Sequence, residues 1–179
     1  MSEKYIDDAH VTCSPSLHDH LVGVQALIND LDIFVAAAEK LDLHKKALFY
    51  GRDAGNDRDK PSDDFDRLAA VLLNLHPERA KAANMLHGIV GKATEIGELC
   101  EALTKALRGN PLDAVNIVEE VGDGLWYDAL ILRAVDSNFD TAMVRNIAKL
   151  RARFPNKFTE YDANNRNLEA ERAILEDRG

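Results

Sequence analysis

The chain predicts an all-α protein, a helical bundle, and three observations carry that expectation. Apolar residues recur at helical spacing; from Leu17 they return at Leu21, Val24, Leu27, Ile28, Leu31, Phe34, Val35 and Ala38. Helix ends are written in local chemistry, as in Asp113 ahead of one run and Arg108-Gly109-Asn110-Pro111 behind another. No convincing pair of strands and no internal repeat is present.

Taken in order, residues 1–13 carry no clear period and read as a loose arm. Ser14-Pro15 reads as a helix start, with Ser14 at the N-cap and Pro15 at the first helical position. The stripe from Leu17 follows, bent near Asn29-Asp30, and a shorter helix covers 41–50. Residues 51–64 break the pattern with Gly, Asn, Asp and Pro and read as an exposed loop. Helical pattern resumes over 65–75 and stops at His76-Pro77, where Pro77 and Glu78 open a new first turn. A long helix then runs from Ala80 to about Leu107. Asp113 caps another through Ala134, 136–138 is a turn, and a further helix over 141–153 halts before Pro155. The tail from Thr159 is polar, with helical spacing at Leu168 and Leu175. Residues 1–80 thus form an N-terminal helical extension, and 81–179 the remaining helices and tail, all within one compact domain.

The 179 residues are 46% hydrophobic, enough for one domain with a real core. A net charge of −9 argues against an electrostatic grip on nucleic acid. Cys13 and Cys100 have no framework spacing, so free thiols in a reducing compartment are expected. No run of about 18 apolar residues is available to span a membrane. The polar, acidic N-terminus is unlike a secretory signal, so a cytoplasmic location is expected.

Chemistry concentrates between Gly88 and Tyr127. Glu95-Ile96-Gly97-Glu98 and Glu120-Val121-Gly122-Asp123 each place two acids three residues apart on a helical run, hence on one helix face. Four converging carboxylates repel unless cations sit between them. An all-oxygen set without histidine suits a hard cation such as Mg²⁺ or Mn²⁺. Such a set can hold a polyphosphate through metal. Gly88, Gly91, Gly97, Gly122 and Gly124 interrupt these helices, each at about 1 kcal/mol relative to Ala. Close approach of a ligand and ordinary tight helix packing explain them equally well. Asn116 and Tyr127 share a stripe with Glu120 and Asp123. On the next helix Asn146, Lys149 and Arg153 share a face, offering an amide and two cations to phosphate oxygens.

Other signals have plainer readings. His18-Asp19-His20 reads as a solvated helix start rather than a metal site. A di-iron carboxylate bundle needs Glu-x-x-His on two helices, and no histidine here has a Glu three residues before it. Gly91-Lys92 lacks the upstream Gly of a phosphate-binding loop, because position 86 is Leu. Trp126 reads as core, Glu119 as a solvated neighbour, and Arg166, Glu171 and Arg172 as a charged helix face.

The stretch from Thr94 through Glu95, Glu98 and Glu101, then Asn116 to Tyr127, then Asn146-Ile-Ala-Lys149 to Pro155, resembles the MazG-like all-α nucleoside triphosphate pyrophosphohydrolases. That superfamily includes dimeric dUTPases and dCTP pyrophosphatases. The tail from Phe158 through Asn165-Arg166 and Glu171-Arg172 to Leu175 resembles a subset of them. The likeness covers about half the chain, and the segment before Lys81 has no counterpart in it. The resemblance implies a bundle of that type with extra N-terminal helices. It implies Mg²⁺, with Mn²⁺ as substitute, on Glu95, Glu98, Glu120 and Asp123, and cleavage of a (deoxy)nucleoside triphosphate to monophosphate and pyrophosphate. Glu95 and Glu98 are the catalytic candidates; Glu95, Glu98 and Glu101 are all placed to act as general base. Asn116, Tyr127, Asn146, Lys149 and Arg153 are the expected substrate-binding residues. A homodimer or homotetramer is expected. The rival reading is a helical assembly module that keeps the fold without the chemistry.

Overall fold

Local chemistry sets most of the helix ends. A computed structural model describes residues 2–16, 18–52 and 70–176. Every regular element among them is helical. Helix α1, Ser2–Val11, occupies the stretch expected to be a loose arm. It carries no apolar stripe for periodicity to detect: Ile6 and Val11 are exposed, and its contacts are polar. Lys4 reaches Asp8 one turn on at 2.7 Å, and Asp8 also receives Arg151 at 2.7 Å. The helix expected to start at Ser14 does not begin there. Ser14 Oγ accepts the Ser16 N–H in a local turn, the competing use that short hydroxyl side chains offer the backbone. A short 3-10 turn, Asp19–Leu21, follows.

Helix α2, Val24–Tyr50, is continuous for 27 residues where a bend and a second helix were expected. No Pro or Gly interrupts it, and Gln25 donates to Asn29 across the expected bend at 2.9 Å. It ends at Gly51, whose φ of +65° returns its N–H to the Lys46 carbonyl. The predicted loop lies outside the described residues beyond Arg52, as does the predicted helix up to residue 69; residues 70–72 are helical.

Helix α3, Arg79–Leu107, stops at Gly109 with φ +94°. The Asn110 side chain there donates to the Lys105 carbonyl. Helix α4, Ala114–Ala134, starts on Asp113, which accepts from the N–H groups of Val115 and Asn116. Asn138 caps α5, Phe139–Arg153. Thr159 caps α6, Glu160–Asn164, and Asn167 caps α7, Leu168–Leu175.

The described residues fall into two compact units. In the unit spanning 22–136, α3 packs against both α2 and α4. Ile28, Ala38, Ala82, Tyr127 and Ala134 are its buried apolar residues. Gly88, Gly91 and Gly97 set the helix spacing, the first with a Cβ position 2.6 Å from the Ile131 side chain. A Cβ at Gly91 would lie 2.1 Å from the Tyr127 ring, and one at Gly97 would lie 2.3 Å from Ala38 Cβ. Tight helix packing, rather than a ligand, therefore explains all three.

The second unit, residues 1–21 with 137–179, is built on α5, which packs against α1 and α7. Ile147 and Phe154 are buried in it. Glu171 of α7 is buried and receives Arg153 at 2.6 and 2.8 Å, with Arg166 at 2.7 Å. Hydrogen bonds from Arg153 and then Arg166 outweigh burial and hold its carboxyl down at about 2, against an ordinary 4.5. A depressed folded-state value gives stability that is present above pH 4.5 and lost as pH falls from 4.5 toward 2. Glu171→Gln is expected to cost about 2–3 kcal/mol at neutral pH, because two guanidinium groups lose their carboxylate and one of them is partly exposed. The variant's stability should then change less than wild type's between pH 4.5 and pH 3, as read by thermal melts. Equal acid sensitivity in both proteins would show that Glu171 is not the titrating tie.

Candidate metal centre

Helix geometry assembles this site from two elements. On α3, Gly91, Glu95 and Glu98 share the face turned toward α4 and α2. On α4, Glu120 projects from the second turn, and Asn116 one turn earlier donates to its Oε1 at 2.7 Å. One oxygen from each of Glu95, Glu98 and Glu120 falls within 4.8 Å of the others. Glu95 and Glu120 are buried, while Glu98 is open to solvent. Asp123 stands outside this group at an exposed position on α4.

The electrostatics are those of crowded acids. Partial loss of hydration first, and then the Glu95 charge, raises the Glu98 carboxyl above its usual range, although much of the side chain stays open to solvent. Glu120 is pushed up to about 7 by burial, the adjacent Glu95 carboxyl and the Glu98 charge, against the opposing hydrogen bond from Asn116. Three carboxylate oxygens this close fit a hard divalent ion. A cavity of about 200 Å³ opens beside the cluster, lined in part by Glu39, Asp42, Thr94, Glu98 and Glu101.

A cation already reaches the site from α2. Lys45 is 5% exposed. Its Nζ donates to Thr94 Oγ1 at 2.8 Å and to Glu95 Oε1 at 3.3 Å, and pairs with Asp42 at 3.0 Å. It also sits 5.3 Å from the centre of the Tyr127 ring. Sequence reading missed Lys45, Asp42 and Thr94. A lysine bound for the interior looks like one bound for the surface, since its stem is apolar in both settings. The Asp42–Lys45–Lys46 spacing, at i, i+3 and i+4, was the available hint.

The other expected residues are engaged as follows. Tyr127 is buried against Gly91 and belongs to an aromatic group with His87 and Trp126. His87 stacks on Phe49 with ring centres 3.9 Å apart. Trp126, expected in the core, is 53% exposed. Asn146 donates to the Tyr5 hydroxyl at 2.8 Å, and Arg153 is committed to Glu171. Lys149 is half-buried and has no ion pair among the described residues.

No family model, curated protein or solved structure matches this chain.

Proposed function

We propose that the protein is a Mg²⁺-dependent nucleoside triphosphate pyrophosphohydrolase, acting on (deoxy)nucleoside triphosphates in a reducing, cytoplasmic setting. The observation that supports this best is the convergence of Glu95, Glu98 and Glu120 from two helices to within 4.8 Å. A bundle held together by packing alone gains nothing from burying carboxylates together. A divalent cation bound there supplies charge neutralisation along the phosphate chain and a more acidic bound water.

The side chains then divide the work. Glu95 is gripped by Lys45, and Glu101 is paired with Lys105 at 2.6 Å. Glu98 has no ion pair among the described residues, is open to solvent and carries a raised carboxyl. It is the group best suited to take the proton from attacking water. Asn116 fixes Glu120. Attack at the α-phosphorus releases nucleoside monophosphate and pyrophosphate. Asp123, exposed on α4, is the fourth carboxylate that this reading assigns to the cation.

A homodimer or homotetramer forms part of this reading. On α4, Val115, Val118 and Leu125 are 78%, 72% and 50% exposed, a row of apolar side chains at seam spacing that suits a second copy of the chain. No described helix is long and apolar enough to cross a membrane.

The test is a panel of nucleoside triphosphates with Mg²⁺ or with EDTA, the products separated at early times. Monophosphate and pyrophosphate in equal amounts, formed with Mg²⁺ and abolished by EDTA, are expected. Early nucleoside diphosphate would point to a different phosphohydrolase. Full activity in EDTA would remove the metal centre, and no activity on any member of the panel would favour the assembly module.

A further inference from the structure

We infer that Lys45 is a positioning residue of this site: it pins one oxygen of Glu95 and supplies a fixed positive charge, leaving the other Glu95 oxygen for a divalent cation. The inference rests on the metal-centre reading above and extends it to α2, a helix outside both acidic motifs.

Geometry carries the argument. The Lys45 ammonium has three hydrogen-bond donors, and they find Thr94, Glu95 and Asp42 within 3.3 Å. Thr94 Oγ1 lies 2.7 Å from the Gly91 carbonyl and 3.1 Å from Glu95 Oε1, so its one hydrogen goes to one of these acceptors and its lone pairs accept from Lys45. The contact is therefore directional, and the Glu95 carboxylate is clamped at one end. A lysine placed there for packing alone would need only Asp42, which Lys46 also pairs.

Charge carries the rest. Glu95, Glu98 and Glu120 bring three negative charges when ionised, and Lys45 removes one. Asp42 and Lys46 offset each other. The remainder, two negative charges, matches one divalent ion. Without Lys45 the same carboxylates would hold a divalent ion more tightly, yet Glu95 would be free to turn.

The two consequences have opposite signs, which separates positioning from damage to the fold. The experiment titrates Mn²⁺ into the substrate-free protein, with free ion read by electron paramagnetic resonance, and measures steady-state pyrophosphate release alongside. Lys45→Met is expected to bind Mn²⁺ about threefold or more tightly, since a positive charge a few ångströms away is gone. Its kcat is expected to fall about tenfold or more, with KM changed less. Thr94→Val keeps the net charge and removes the hydroxyl that aims Lys45, so kcat should fall while the Mn²⁺ affinity stays within about twofold. Should Lys45→Met fail to fold, Thr94→Val reads the same contact. Weaker Mn²⁺ binding together with lower kcat in Lys45→Met, or unchanged kcat in either variant, overturns the positioning role. Absence of Mn²⁺ binding by wild type overturns the metal-centre reading itself, and this inference with it.

Discussion

Glu98→Gln is expected to lower kcat by about a thousandfold or more while leaving the fold intact. The substitution removes a carboxylate that serves at once as cation ligand and as the best-placed proton acceptor. Losing several kcal/mol of charge stabilisation in the reacting state is enough for that drop, at about 1.4 kcal/mol per tenfold. Glu120→Gln should act in the same direction, and so should Asp123→Asn if that side chain turns inward on metal binding. Stability should move the other way. Partial loss of hydration and the Glu95 charge already hold the Glu98 carboxyl above its usual range. A neutral amide relieves that repulsion, so the metal-free variant should melt no lower than wild type. Turnover at saturating Mg²⁺ and thermal melts in EDTA check the two halves. Turnover within tenfold of wild type would end the case for Glu98.

The second large effect follows from the resemblance alone and concerns α5, in the other compact unit. Lys149→Ala should lower kcat/KM by one to two orders of magnitude, the equivalent of a charge-assisted hydrogen bond of about 1.5–3 kcal/mol. The neighbouring polar groups narrow the choice to Lys149. Asn146 is used on Tyr5 and Arg153 on Glu171. Lys149 alone of the three has no hydrogen-bond or ion-pair partner among the described residues. Arg151 is the control, because it points off that face and its guanidinium meets Asp8 with 60% of the side chain exposed. Arg151→Ala should stay near wild type. Equal loss in both variants would indicate a general defect, and no loss in either would mean that α5 carries no phosphate contact.

Much of the fold was legible because helix ends advertise themselves. Asp113 and the Gly109 stop act where their chemistry says they should. The failures have physical causes. Helix α1 has exposed Ile6 and Val11 and polar contacts to a helix more than a hundred residues away, and no local period reports that. Ser14-Pro15 looked like a helix start, but Ser14 satisfied its own turn. At the site, the acid spacings on α3 and α4 were readable as two helix faces. The convergence of Glu95, Glu98 and Glu120 needs the packing set by Gly91 against Tyr127, which only the folded chain supplies. Lys45 was invisible for the reason that makes buried lysines hard to foresee: its destination depends on a partner fifty residues on.

Helix α2 therefore bears on where this protein can be cut. A fragment beginning at Lys81 would retain every residue of both acidic motifs and would look sufficient on paper. It would lose Lys45 and Asp42, and it would strip Ala38 from Gly97 on α3. Such a truncation should bind divalent ions without orienting them. The compact unit that contains the whole centre starts at Val22.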